Sequence, residues 1–119
     1  MSYYPFPTPA APLTYSKSAT KAASSGAATF LAFYVTNENT STRYLWIKDS
    51  ASTFATSDSS TTALYVFPIP GSSTLGIGHT FWGMAGTSFS SGISWGISTS
   101  ATSYTDGSST DHVLNIQKA

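Results

Sequence analysis

Ser91-Gly-Ile-Ser-Trp-Gly-Ile-Ser98 is the stretch that decides the fold. Ile93, Trp95 and Ile97 fall on one side, while Ser94, Gly96 and Ser98 fall on the other. This is the period of two that a β-strand imposes on its side chains. A helix would instead need apolar residues recurring at spacings of three and four, and no window of the chain holds an amphipathic helix of any length. Trp95 therefore belongs to the core of a sheet, and the small residues between belong to its other face.

Outward from this strand the same signal continues. Upstream, Thr29-Phe-Leu-Ala-Phe-Tyr-Val-Thr36 is aromatic, β-branched and bulky on both faces, which reads as a buried strand. Asn37-Glu-Asn-Thr-Ser41 is a turn cluster. Thr42-Arg-Tyr-Leu-Trp-Ile-Lys48 then forms a second strand, joined to the first as an antiparallel hairpin. The polar run 50–62 reads as a long loop, and Ala63-Leu-Tyr-Val-Phe67 as a third strand. Pro68 and Pro70 place the end of that strand at a sheet edge, and Pro70-Gly71 marks a turn. Leu75 and Ile77 alternate with small residues. Downstream, 100–110 is a loop with a turn at Asp106-Gly107, and Asp111-His-Val-Leu-Asn-Ile-Gln117 is a last strand. Six or seven short strands with polar loops predict an all-β fold, an antiparallel β-sandwich of jelly-roll-like type.

The N-terminus differs. Pro5, Pro7, Pro9 and Pro12 disfavour helix and central strand and prefer an extended polyproline path, and 16–26 is small and polar like a linker. Residues 1–26 are thus read as an extended arm and linker, and 27–119 as the sandwich domain. The arm carries Tyr3, Tyr4, Phe6, Leu13 and Tyr15, large apolar groups suited to docking into pockets of a partner or to folding back along their own domain.

Composition narrows the function. Charged residues are 8% of the chain and the formal net charge is zero, against roughly a quarter charged in an ordinary domain. Ser and Thr make up about a third of the sequence. Lys17, Lys21, Arg43, Lys48 and Lys118 form no run, which argues against nucleic acid and against an anionic membrane surface. There is no cysteine, so neither a disulfide nor a thiolate metal site is available. The segment Met1-Ser-Tyr-Tyr-Pro-Phe-Pro-Thr-Pro9 lacks the basic and apolar regions of a signal peptide, which gives the expectation of a chain made in a cytoplasm. With few charges to guard its surface against association, the chain reads as one meant to be covered by neighbours.

Candidate chemistry is sparse. His79 and His112 lie far apart, and a zinc site needs three or four ligands. His79, beside Thr80 and Phe81, reads as a strand-end polar residue. Serine abounds, and Gly92-Ile-Ser-Trp-Gly96 matches the Gly-x-Ser-x-Gly pattern, but it falls inside an alternating strand rather than on the strand-to-helix turn that exposes a nucleophile, so no catalytic residue, metal ligand or cofactor is assigned. Asp106-Gly-Ser-Ser-Thr-Asp111 lacks the alternating acidic spacing of a calcium loop and reads as a turn. Asn39-Thr-Ser41 matches a glycosylation sequon by chance. Trp46 falls opposite Leu45 and Ile47 and is a candidate for exposure. Trp82, beside Gly83, is the best tryptophan candidate for a contact, and Arg43 for pairing with a carboxylate across one.

The segment from Tyr34 to Gln117 resembles a family of small β-sandwich virion proteins of tailed bacteriophages. The residues that carry the resemblance begin with Tyr-Val-Thr-Asn at 34–37, Arg43-Tyr-Leu-Trp-Ile-Lys48 and Phe67-Pro-Ile-Pro-Gly71. Gly86-Thr-Ser-Phe-Ser-Ser-Gly-Ile-Ser-Trp-Gly-Ile-Ser98 and Val113-Leu-Asn-Ile116 complete them. The resemblance implies a non-enzymatic structural accessory of the virion, a capsid decoration or head accessory protein. Its partners would be the major capsid protein, other virion proteins or its own copies, in a homo-oligomer. The Pro-rich arm departs from that pattern. A carbohydrate-binding or host-adhesion module of a phage fibre is the alternative, and would require exposed aromatics beside hydrogen-bonding side chains.

Overall fold

The computed structural model describes residues 13–16, 20–78, 86–108 and 112–118. Nine strands are present among them, more than the six or seven expected. They are β1 (Leu13–Ser16), β2 (Lys21–Ser25), β3 (Ala28–Asn37), β4 (Arg43–Asp49), β5 (Tyr65–Ile69), β6 (Ser73–Ile77), β7 (Thr87–Phe89), β8 (Gly92–Ser98) and β9 (His112–Lys118). A single 3-10 turn, Ser60–Thr62, interrupts the loop between β4 and β5.

One sheet has the order β1-β9-β3-β6, with β7 also paired to β3, and the other has the order β2-β8-β4-β5. All these pairings are antiparallel. The order is that of one long hairpin rolled on itself. β1 lies beside β9, β2 beside β8, β3 beside β6 and β4 beside β5, with alternate pairs assigned to alternate sheets. This is the jelly roll, and β7 is an added strand that extends the edge made by β6.

The winding corrects the reading of 1–26 as arm and linker. Leu13–Ser16 pairs with β9 from Leu13 opposite Ile116 to Ser16 opposite Val113. Lys21–Ser25 pairs with β8 from Lys21 opposite Gly96 to Ser25 opposite Gly92. Both are edge strands of four and five residues; β1 is too short, and β2 too small in side chain, to stand out by pattern. The sheets, not local propensity, hold them extended.

The inner faces meet in a core of Phe30, Phe33, Val35, Leu45, Ile47 and Ile69 from β3, β4 and β5, with Phe89, Ile93, Trp95, Ile97, Leu114 and Ile116. Phe30 and Phe33 both face inward although three positions apart, because the β3–β9 register shifts between Phe30 and Ala32. Such a bulge places one extra residue in a strand and resets its phase. It explains why 29–36 looks bulky on both faces: the apolar phase changes midway, and Tyr34 beyond the bulge points out, 57% exposed. Pro68 fits because β5 is an edge strand and its missing N–H breaks no internal ladder.

Two polar residues secure the ends. Asn37 is buried, its Nδ2 within 3.0 Å of the Ser41 and Ile69 carbonyls and 3.2 Å of that of Pro70. Its Oδ1 accepts from the Asn39 N–H at 2.9 Å, so one amide ties the β3–β4 turn to the β5–β6 turn. Gly71 lies so close to the Thr40 carbonyl that any Cβ there would collide with it. At the opposite end of β4, the Asp49 carboxylate accepts the backbone N–H groups of Ser90, Ser91 and Gly92 at 2.9, 2.8 and 3.2 Å.

Candidate functional site

The outer faces of the two sheets differ, and that difference locates the site. On the β2-β8-β4-β5 sheet the outer face is sealed by the chain's own loops. Trp46, Phe54 and Tyr104 form a second apolar cluster there, with ring centroids 5.2–5.6 Å apart. The two loops that supply Phe54 and Tyr104 bond to each other, Ser57 N–H to Tyr104 O and Tyr104 N–H to Asp58 O, both at 2.8 Å. Gly96 has no Cβ because the Tyr104 ring occupies that space. Every residue of β8 is consequently buried, the outward Ser94, Gly96 and Ser98 included.

The expectation that Trp46 is exposed is therefore corrected. It does point away from Leu45 and Ile47, but its ring is fully covered and its Nε1 donates to the Ser100 carbonyl at 3.1 Å. Trp95 is core, as its alternation predicts. His112 is also buried and sets its ring edge-on to Trp95 at 5.6 Å.

Around this sealed face, charged groups serve the loops. Lys48 lies 4.5 Å from the centre of the Phe54 ring and donates to the Thr53 carbonyl at 3.3 Å. Lys21 pairs with Asp106 at 3.4 Å beside Tyr104. Burial, then the Asp106 carboxylate, push the Tyr104 hydroxyl far above the usual phenol range. The Asp49 carboxyl is held below its ordinary value by the Ser90 and Ser91 N–H bonds, which favour its charged form.

The outer face of the β1-β9-β3-β6 sheet carries no such cover among the described residues. Tyr34 stands exposed on β3 with its ring against Gly76, where a Cβ would come within 3.1 Å of the ring. Next to it an open groove of about 350 Å³ runs across β9, β3 and β6, bordered by Ala32, Tyr34, Gly76, Gly78, Asn115 and Gln117. No residue lining it is charged. Beyond the groove, the Thr36 and Thr74 hydroxyls meet at 3.1 Å.

This lining offers two aromatic rings, two isoleucines, two amides and small residues. It contains no carboxylate, imidazole or thiol to hold a metal or move a proton. Among the described residues no group of three or more His, Cys, Asp or Glu gathers anywhere, and no helix is long and apolar enough to cross a membrane. The arrangement can take up an uncharged, partly apolar surface.

The contact residues expected from sequence are not brought together here. Tyr3, Tyr4, Phe6 and Trp82 lie outside the described residues, as do His79 and Asp111. The backbone of Leu13 and Tyr15 belongs to β1, paired with Ile116 and Leu114, which corrects their placement on a projecting arm. Arg43 opens β4 opposite Ile69, with its side chain half-buried beside Gly107 and away from the groove. Tyr34, Asn115 and Gln117 were missed. The bulge hid the outward phase of Tyr34, and the amides become neighbours of Tyr34 only through the β3–β9 register.

No family model matches the chain, and no curated protein or solved structure matches it either.

Proposed function

We propose that this protein is a non-enzymatic structural component of a phage particle, a capsid decoration or head accessory protein that binds the major capsid protein or its own copies. The observation that carries the reading is the open, uncharged face of the β1-β9-β3-β6 sheet, set against an opposite face sealed by loops. An exposed aromatic, amides and hydroxyls without charge suit burial against protein, where charged residues are depleted and Tyr is enriched. The jelly roll is used by capsid domains and by lectins, and fold alone does not choose between them. The resemblance over 34–117 favours the virion.

The test is light scattering and co-sedimentation with capsid shells assembled without the protein. The full chain is expected to bind the shells or to form species heavier than its 12.5 kDa protomer. Thr74→Asp, which places a charge on the open face, is expected to abolish both. A full chain that stays monomeric and leaves the shells bare overturns the reading.

A fibre-borne carbohydrate-binding module is the second reading, favoured by one observation: Tyr34 stands exposed beside Asn115 and Gln117. Glycan-array binding that is lost in Tyr34→Ala, with no shell binding, would establish it in place of the first.

A further inference from the structure

The groove lies where the chain enters the sheet. Leu13 stands opposite Ile116, and the ladder is antiparallel, so each step before Leu13 advances toward Gln117 and Lys118. Ile116 and Gln117 both line the groove. The segment 1–12 thus joins the described chain at Leu13, one strand spacing from β9 and two from β3, about 5 and 10 Å.

Their composition restricts what they do next. Pro5, Pro7, Pro9 and Pro12 lack the N–H that would lengthen the sheet as further strand. They favour a polyproline path, a form that docks on aromatic-lined grooves. Phe6 precedes Leu13 by seven residues, a reach of about 22 Å on that path. This spans the width of the sheet. Neither side of the contact carries a charged side chain: residues 1–12 contain none, and the groove lining has none.

We propose that residues 1–12 of the same chain lie across this groove, Phe6 and the prolines against Tyr34 and the floor of Ala32, Gly76 and Gly78. Tethering makes the contact intramolecular, with an effective concentration on the order of millimolar for so short a link, which favours a chain's own segment over that of a second copy. The Thr36–Thr74 rim stays open to a neighbour. The inference does not depend on the virion reading, and each can fail without the other.

The chain has no cysteine, so one introduced thiol reports its own surroundings. Ala32→Cys places it in the groove, Gln117→Cys gives a second position there, and Thr74→Cys is the control outside it. Thiol labelling rates are compared in the otherwise intact chain and in one carrying Tyr3→Ser, Tyr4→Ser and Phe6→Ser. A chain lacking residues 1–11, which keeps β1, is the second variant. The groove thiols are expected to label about tenfold more slowly in the intact segment's presence, with Thr74→Cys unchanged and protection constant over about a hundredfold dilution. Equal groove rates in all chains overturn the proposal. Protection that fades on dilution overturns it in favour of the segment of a second copy.

Discussion

Asp49 and Tyr104 are two ionisable groups whose surroundings make opposite demands on pH. The Asp49 carboxylate accepts three backbone N–H groups at the β7–β8 turn, which depresses its folded pKa. Its contribution is present above the unfolded value near 3.8 and is lost as pH falls through the lower folded value. The urea midpoint of the native chain is therefore expected to drop as pH falls below about 4, and Asp49→Asn to lower the midpoint at neutral pH while flattening that acid slope. Tyr104 behaves conversely. Its folded pKa is raised, so its contribution is full below the unfolded value and declines as pH rises above about 10. Denaturation across that range in Tyr104→Phe is expected to lack the part of the alkaline loss due to this hydroxyl.

The element that matters most to the shape of the surface is the loop 50–64. Its pattern is polar and its strand content nil, yet Phe54 is 1% exposed beneath it, stacked on Tyr104. Truncating Phe54→Ala is expected to cost about 3 kcal/mol, near the low end for a buried Phe, read from urea unfolding. Limited proteolysis by thermolysin should then cut within 50–64 while β3 and β9 stay intact. Gly96→Ala tests the same contact from the sheet. Its methyl group would meet the Tyr104 hydroxyl and ring, and overpacking of this kind costs about 1–3 kcal/mol. Strand existence was legible for β3, β4, β5, β8 and β9 because their residues alternate or are β-branched. β1 and β2 were not, because Leu13–Ser16 is brief and Lys21–Ser25 has only small side chains beyond Lys21. The same holds for the candidate groove, whose three strands contribute two or three unremarkable residues each.

For the whole molecule, the consequence of the roll is that the two chain ends support each other. β1 covers β9, which in turn pairs with β3. Removing residues 1–11 is expected to leave the fold intact. Removing 1–16 should strip the ladder from β9, cost roughly 2 kcal/mol or more in lost backbone pairing, and leave an unguarded edge that associates. Thermal unfolding with light scattering separates the two truncations. Equal stability would mean that β1 contributes nothing to the sandwich.

By itself the sequence determined the class of fold, because a period of two, β-branched residues and proline punctuation act over a few neighbouring positions. It also determined the uncharged character of the surface, since composition survives any arrangement. The pairing of β1 with β9, the loops that bury Trp46, and the meeting of Tyr34 with Asn115 and Gln117 depend on contacts between residues far apart in the chain. Only the tertiary structure decided these, because packing two sheets chooses the register and fixes which faces the described residues seal and which they leave open.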